Sequence, residues 1–202
     1  MKALIVVDIQ NDFIPGGSLA VPAGNEIIPI VNRLEKKFPL VVATQDWHPE
    51  SHLSFASNHP GKNVYETVIV DGLEQILWPD HCLQGKKGAM FPAEFDDRRV
   101  EAIFRKGTDP RIDSYSGFFD NGRKKSTGLG DYLRGLGVRQ VYLCGLAAEY
   151  CVLYTALDAL ELGFETYYLE DATRALNQEG FRQAKELILS RGGKLLTSDQ
   201  IS

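Results

Sequence analysis

Six short runs of β-branched and aliphatic residues recur along the chain, each followed by a polar or glycine-bearing turn and, in most cases, an amphipathic stretch. The runs are Ala3–Val7, Leu40–Ala43, Val100–Phe104, Val138–Leu143, Thr166–Leu169 and Lys194–Leu196. Several are apolar throughout, the pattern of strands covered on both faces rather than half solvated. The cover comes from stretches at about 26–37, after Ser126-Thr127, from Cys151 to Gly163, and at about 178–191. Asn25 reads as the N-cap of the first, with Pro29 tolerated in its first turn. Gly163 and Gly192-Gly193 are natural stops for the third and fourth. Alternating strands and helices predict an α/β fold: three layers, α/β/α, around a central, mainly parallel sheet of about six strands. The 202 residues suit one domain over 1–202.

One segment breaks the alternation. Residues 45–99 lie between the second and third runs, hold both tryptophans and all four histidines, and offer only a short helix near 72–77. A long irregular insertion in a compact domain is usually functional. Composition narrows its partners. Lys and Arg total 22 against 27 Asp and Glu, a net charge of −5 with no basic block, which argues against nucleic acid. No apolar run approaches ~18 residues, so no membrane span is expected. Cys82, Cys144 and Cys151 are odd in number and form no C-x-x-C pair. With no leader-like segment after Met1-Lys2, they predict a reducing, cytoplasmic setting.

In an open parallel sheet, ligands bind beyond the carboxyl ends of the strands. The first run ends at Asp8, the second leads through Thr44 to Asp46 and His48, the third ends at Lys106, and the fourth runs into Gly145 and on to Cys151. An acid, an acid with an imidazole, an amine and a thiol thus emerge on one rim. A thiol in the first turn of a helix and beside an ammonium favours thiolate. Asp8 could take the thiol proton or hand one to a leaving group. Taken singly, the same residues suit a plain structural role, Cys151 as packing and Asp8–Lys106 as an ion pair. Cys144, inside a strand, reads as packing alone. In extended chain, Asp46 and His48 point to one side and can share a cation, with His81 or His52 completing its shell. Mixed nitrogen and oxygen donors suit Zn²⁺, Mn²⁺ or Fe²⁺ better than Ca²⁺ or Mg²⁺. His59 reads as a loop residue. No Walker A loop, dinucleotide fingerprint, G-x-S-x-G or H-E-x-x-H is present.

These motifs together resemble the bacterial nicotinamidases, also called pyrazinamidases, of the isochorismatase-like cysteine hydrolase superfamily. The likeness spans nearly the whole chain. It rests on Val7-Asp8-Ile9-Gln10-Asn11-Asp12-Phe13, Gly16-Gly17-Ser18-Leu19, Asp46-Trp47-His48-Pro49 with His52-Leu53-Ser54-Phe55, Trp78-Pro79-Asp80-His81-Cys82, Arg105-Lys106-Gly107, Tyr115-Ser116-Gly117-Phe118, and Gly145-Leu146-Ala147 before Tyr150-Cys151-Val152.

The resemblance implies hydrolysis of nicotinamide to nicotinate and ammonia through a cysteine thioester, in NAD salvage, with pyrazinamide as a side substrate. It implies Asp8, Lys106 and Cys151 as the catalytic triad and the Ala147 and Cys151 amides as the oxyanion hole, beside a cis Leu146–Ala147 peptide. Phe13, Trp78 and Tyr115 would wall the pyridine. Asp46, His48 and His81 would hold one divalent transition metal ion, zinc ahead of manganese or iron, with His52 a fourth ligand in some members. Residues 45–99 would then be the metal- and substrate-binding insertion. The partner would be a small molecule, nicotinamide, with homo-oligomerisation left open. Where the commoner family form has Thr-Asp before the aromatic residue and Cys, this chain has Ala148 and Glu149, changes that bear on substrate affinity and oxyanion-loop rigidity. Three other readings stay open: a related hydrolase of another carboxamide or ureido compound, metal-hydroxide hydrolysis with Cys151 as bystander, and a non-catalytic binding module.

Overall fold

Strand β1 (Lys2–Val7) is fully apolar after Lys2 and lies at the centre of the sheet, because both of its faces can be buried. The computed structural model describes residues 1–202. Around β1 stand β2 (Val41–Asp46), β5 (Val100–Lys106), β6 (Gln140–Gly145), β7 (Glu165–Thr173) and β8 (Lys194–Leu196), all parallel, in the order β5-β2-β1-β6-β7-β8. The chain winds outward from β1 first to one side and then to the other. The crevice at this reversal lies between β1 and β6.

Alternate residues of each inner strand feed two cores. Leu4, Val6, Val41 and Ala43 pack with Ile28, Val31 and Leu34 of α1 (Ile28–Leu34) and with Trp78 and Phe95 of the insertion. Ala3, Ile5, Val7 and Val42 pack with Leu133 of α2 (Leu129–Gly135), Ala156 of α3 (Leu153–Glu161), and Ala184 and Ile188 of α4 (Gln178–Ser190). The α/β/α layering expected from the apolar runs is what forms. No helix is long and apolar enough to cross a membrane.

Several local expectations change. The stretch near 72–77 is not helical: Leu73–Ile76 is strand β4, which pairs antiparallel with β3 (Thr67–Val70) in a separate hairpin. A two-residue Asp71-Gly72 turn with both φ positive closes it, and such a turn dictates a hairpin over a single helical turn. Asn25 is not a cap; it lies inside a 3₁₀ turn, Gly24–Ile27, that runs into α1. Cys151 precedes α3 and sits in a π-helical turn, Ala148–Val152, a form that concentrates at functional sites.

Candidate active site

Register brings the first two charges together. On neighbouring strands, Asp46 pairs with Lys106, while Val7 pairs with Gly145. The residues just beyond, Asp8 and Leu146, therefore leave the sheet side by side. Gly145 permits this closeness: a Cβ there would lie 2.0 Å from the Val7 carbonyl oxygen. Asp8 turns at φ 48°, a region non-glycine residues rarely adopt.

The Lys106 side chain has no solvent exposure. A charge so buried must be compensated, and it is. Its Nζ donates to Asp46 Oδ1 at 2.5 Å and to the Ser114 carbonyl at 2.8 Å, lies 2.9 Å from Asp8 Oδ2, and reaches Cys151 Sγ at 3.4 Å. Thr44 Oγ1 donates to the other Asp8 oxygen at 2.7 Å. Carboxylate oxygens of Asp8 and Asp46 and the Cys151 sulfur all lie within 4.8 Å of one another.

This cluster is charge-rich and dry. Burial opposes a charge on Lys106, but Asp46 and Asp8 outweigh it and hold the ammonium well above its ordinary pKa. Burial likewise opposes ionised Asp46, yet Lys106 and His48 keep it well below the carboxylate range. Asp8 is raised by burial and by Asp46, against the pull of Lys106. The Cys151 thiol is pushed well up by burial, and Asp8 and Asp46 add to this against Lys106. The expectation of a lowered thiol pKa is thus reversed. One ammonium shared between two carboxylates leaves the sulfur's surroundings anionic, and the half-charge of a helix turn does not offset that.

Beside this cluster lie the imidazoles. His48 donates Nδ1–H to the Gly107 carbonyl at 2.9 Å, and His81 donates Nδ1–H to that of Pro79 at 2.8 Å. A carbonyl only accepts, so each Nδ1 carries its proton there and each Nε2 is the ring atom left to serve as a ligand when deprotonated. Both face Asp46 Oδ2, at 3.5 and 3.8 Å. Buried donors at this spacing, each ring fixed from behind by a backbone acceptor, fit a divalent transition ion. Gly107 matters here too, since a Cβ would come within 2.3 Å of His48 Cε1. The His52 ring packs tilted against His48, 4.3 Å between centroids, and groups with His48 and Asp113 rather than with Asp46 and His81; its buried Nε2 has no partner. Burial and the neighbouring His48 push its pKa down to about 4. His59 lies apart, bonded to the Leu53 carbonyl.

A small, mostly apolar cavity opens over the thiol. Phe13, Trp78 and Tyr115 all line it, together with Asp46, His81, Ala147 and Cys151. Trp78 Nε1–H donates to the Tyr115 hydroxyl at 3.2 Å, which locks two walls together. The Leu146–Ala147 peptide is cis, and the Ala147 N–H has no partner within the protein. The adjacent Ala148 N–H is engaged by the Arg174 carbonyl at 2.8 Å. Leu19, Val21, Asp113, Tyr150 and Leu176 complete the lining; Leu19 and Tyr150 lie in the motifs that carry the resemblance but had no role assigned, and Val21, Asp113 and Leu176 stood outside every motif. Tyr150, next to Cys151, carried a signal by position; Leu176, from the loop before α4, carried none.

Comparison with known proteins extends these observations. A model of the isochorismatase domain matches residues 2–200. The nicotinamidase of Acinetobacter baylyi is 44% identical over 200 residues, 98% of this chain and 94% of that protein. The nicotinamidase/pyrazinamidase structure from Acinetobacter baumanii superposes with a TM-score of 0.96 at 44% identity, covering 100% of this chain and 98% of the other. A Pyrococcus horikoshii pyrazinamidase in complex with zinc gives a TM-score of 0.81 at 44% identity, covering 97% and 98%.

Proposed function

We infer that this chain, which belongs to the isochorismatase family, is a nicotinamidase: it hydrolyses nicotinamide to nicotinate and ammonia, with pyrazinamide as a side substrate. The observation that carries this reading is the meeting of the Cys151 thiol, the Lys106 ammonium and the Asp8 carboxylate beneath a small aromatic cavity that Cys151, Asp46 and His81 line.

Phe13, Trp78 and Tyr115 take the pyridine ring, whose flat faces pack on aromatic walls. The Cys151 thiol gives its proton to Asp8 as the sulfur attacks the carboxamide carbon, an assignment Asp8's raised proton affinity suits. Lys106 steadies the thiolate that forms. The Ala147 and Cys151 amides receive the oxyanion, a role worth about 10²–10³ in rate per donor. Asp8 then passes the proton to the departing nitrogen, and ammonia leaves a Cys151 thioester. Asp8 next deprotonates water, hydroxide adds to the thioester carbon, and nicotinate departs as the sulfur recovers a proton from Asp8. Asp46, His48 and His81 would hold the metal, zinc for preference, and residues 45–99, which begin in the last two residues of β2, serve as the insertion that brings His48 and His81 to Asp46. Held there, a divalent ion supplies an electrophilic anchor for the ring nitrogen and offsets the Asp46 charge that opposes a thiolate.

Ammonia release from nicotinamide, pyrazinamide and carbamoyl compounds tests the reading. Turnover is expected for the first two and not the third. Turnover of carbamoyl compounds alone would assign the site to a different amide hydrolase.

A further inference from the structure

Glu149 stands next to the aromatic wall Tyr150 and two residues before the nucleophile, yet its side chain reaches away from the thiol. Its carboxylate accepts the Leu176 N–H at 3.2 Å and the Asn177 N–H at 3.1 Å, with the Asn177 side-chain amide at 3.5 Å. It thereby meets the N-terminal end of α4, 13 residues long, where backbone N–H groups and the helix dipole favour an anion. Leu176, the residue it grips, lines the same cavity as Cys151 and Ala147. A second tie, Ala148 N–H to the Arg174 carbonyl, closes the same two segments one step away. The Asn177 side chain also caps α4, its Oδ1 accepting the Gly180 N–H at 2.7 Å.

We propose that Glu149 is a positioning residue for the ring slot: by holding Leu176 against the nucleophile turn, it sets the width of the slot and so the discrimination between ring sizes. The inference rests on reading the cavity as a nicotinamide site. Two peptide N–H groups on one carboxylate tie the backbone at Leu176 and Asn177 to the nucleophile turn, and Leu176 Cβ follows its backbone. Released, that wall would admit a larger ring and hold a small one poorly.

The test compares wild type with Glu149→Ala, Glu149→Gln and Asn177→Ala, using nicotinamide and 5-methylnicotinamide as substrates and amide hydrogen exchange at Leu176 and Asn177. For Glu149→Ala, KM for nicotinamide is expected to rise about tenfold with kcat within about twofold, the pattern of a lost binding wall. The kcat/KM ratio of 5-methylnicotinamide to nicotinamide should rise several-fold, and exchange at both amides should quicken. Glu149→Gln keeps the length and one acceptor oxygen and should retain most of the discrimination. Asn177→Ala should lower Tm through loss of the cap while leaving the substrate ratio alone. An unchanged ratio in Glu149→Ala overturns the proposal, as does an equal shift in Asn177→Ala. Faster exchange in Glu149→Ala, in a chain whose wild type does not turn over nicotinamide, would support the clamp while refuting the substrate reading.

Discussion

Lys106 holds together two carboxylates that would otherwise repel one another and reaches the thiol as well, and most of the site's behaviour follows from that single ammonium. Cys151→Ala removes the proposed nucleophile but little volume, so it is expected to abolish ammonia release while still binding nicotinamide; an ammonia assay checks the first half and calorimetric titration the second. Measurable turnover by it would refute the thioester route. Lys106→Met removes the one charge that favours a thiolate in an otherwise anionic setting, and iodoacetamide labelling of Cys151 near neutral pH should slow. Gly107→Ala would place a methyl 2.3 Å from His48 Cε1. Its metal content, read by elemental analysis, is expected to fall well below that of wild type. At this scale the sequence was informative about chemical type. Asp8, Lys106 and Cys151 were legible because each ends or follows an apolar run. The direction of the Cys151 pKa was not legible, because it depends on how many carboxylates share the lysine, and only the register of β2 against β5 places Asp46 there.

The elements carry a cost at the end of the sheet opposite the cleft. Glu35, in the 3₁₀ turn after α1, is fully buried with both carboxylate oxygens lacking a partner. Burial, reinforced by Asp96, raises its pKa from an ordinary 4.5 to about 7. Because the folded value exceeds the unfolded one for an acid, the penalty is absent below the unfolded pKa, grows between the two, and is complete above about 7. Glu35→Met is therefore expected to raise Tm clearly at pH 8 and much less at pH 5, in thermal melts at the two values. A gain independent of pH would place the cause elsewhere. Periodicity located α4 and all six strands of the main sheet to within a few residues, since these bury a continuous face. It failed at 72–77 and at Asn25, where turn geometry rather than hydrophobic spacing decides the local form.

Across the whole molecule, the donors Asp46, His48 and His81 come from the end of β2 and from the far part of the insertion. An ion on them would fasten that insertion to the sheet, and a ligand that binds only the folded state raises stability by mass action. Chelation is expected to lower Tm and impair turnover, and readdition of Zn²⁺ should restore both. His81→Ala should erase the dependence of Tm on added Zn²⁺. A wild-type Tm indifferent to chelator and zinc alike would remove the metal from this site. By itself the sequence determined the layering and the kinds of chemistry available, because burial on both faces demands apolar runs and strand ends must expose whatever follows them. Tertiary structure alone decided strand order, the shared pairing of Lys106, the free Ala147 amide and the fourth wall at Leu176. Each of these is a distance between segments remote along the chain, fixed by register and packing that no local pattern encodes.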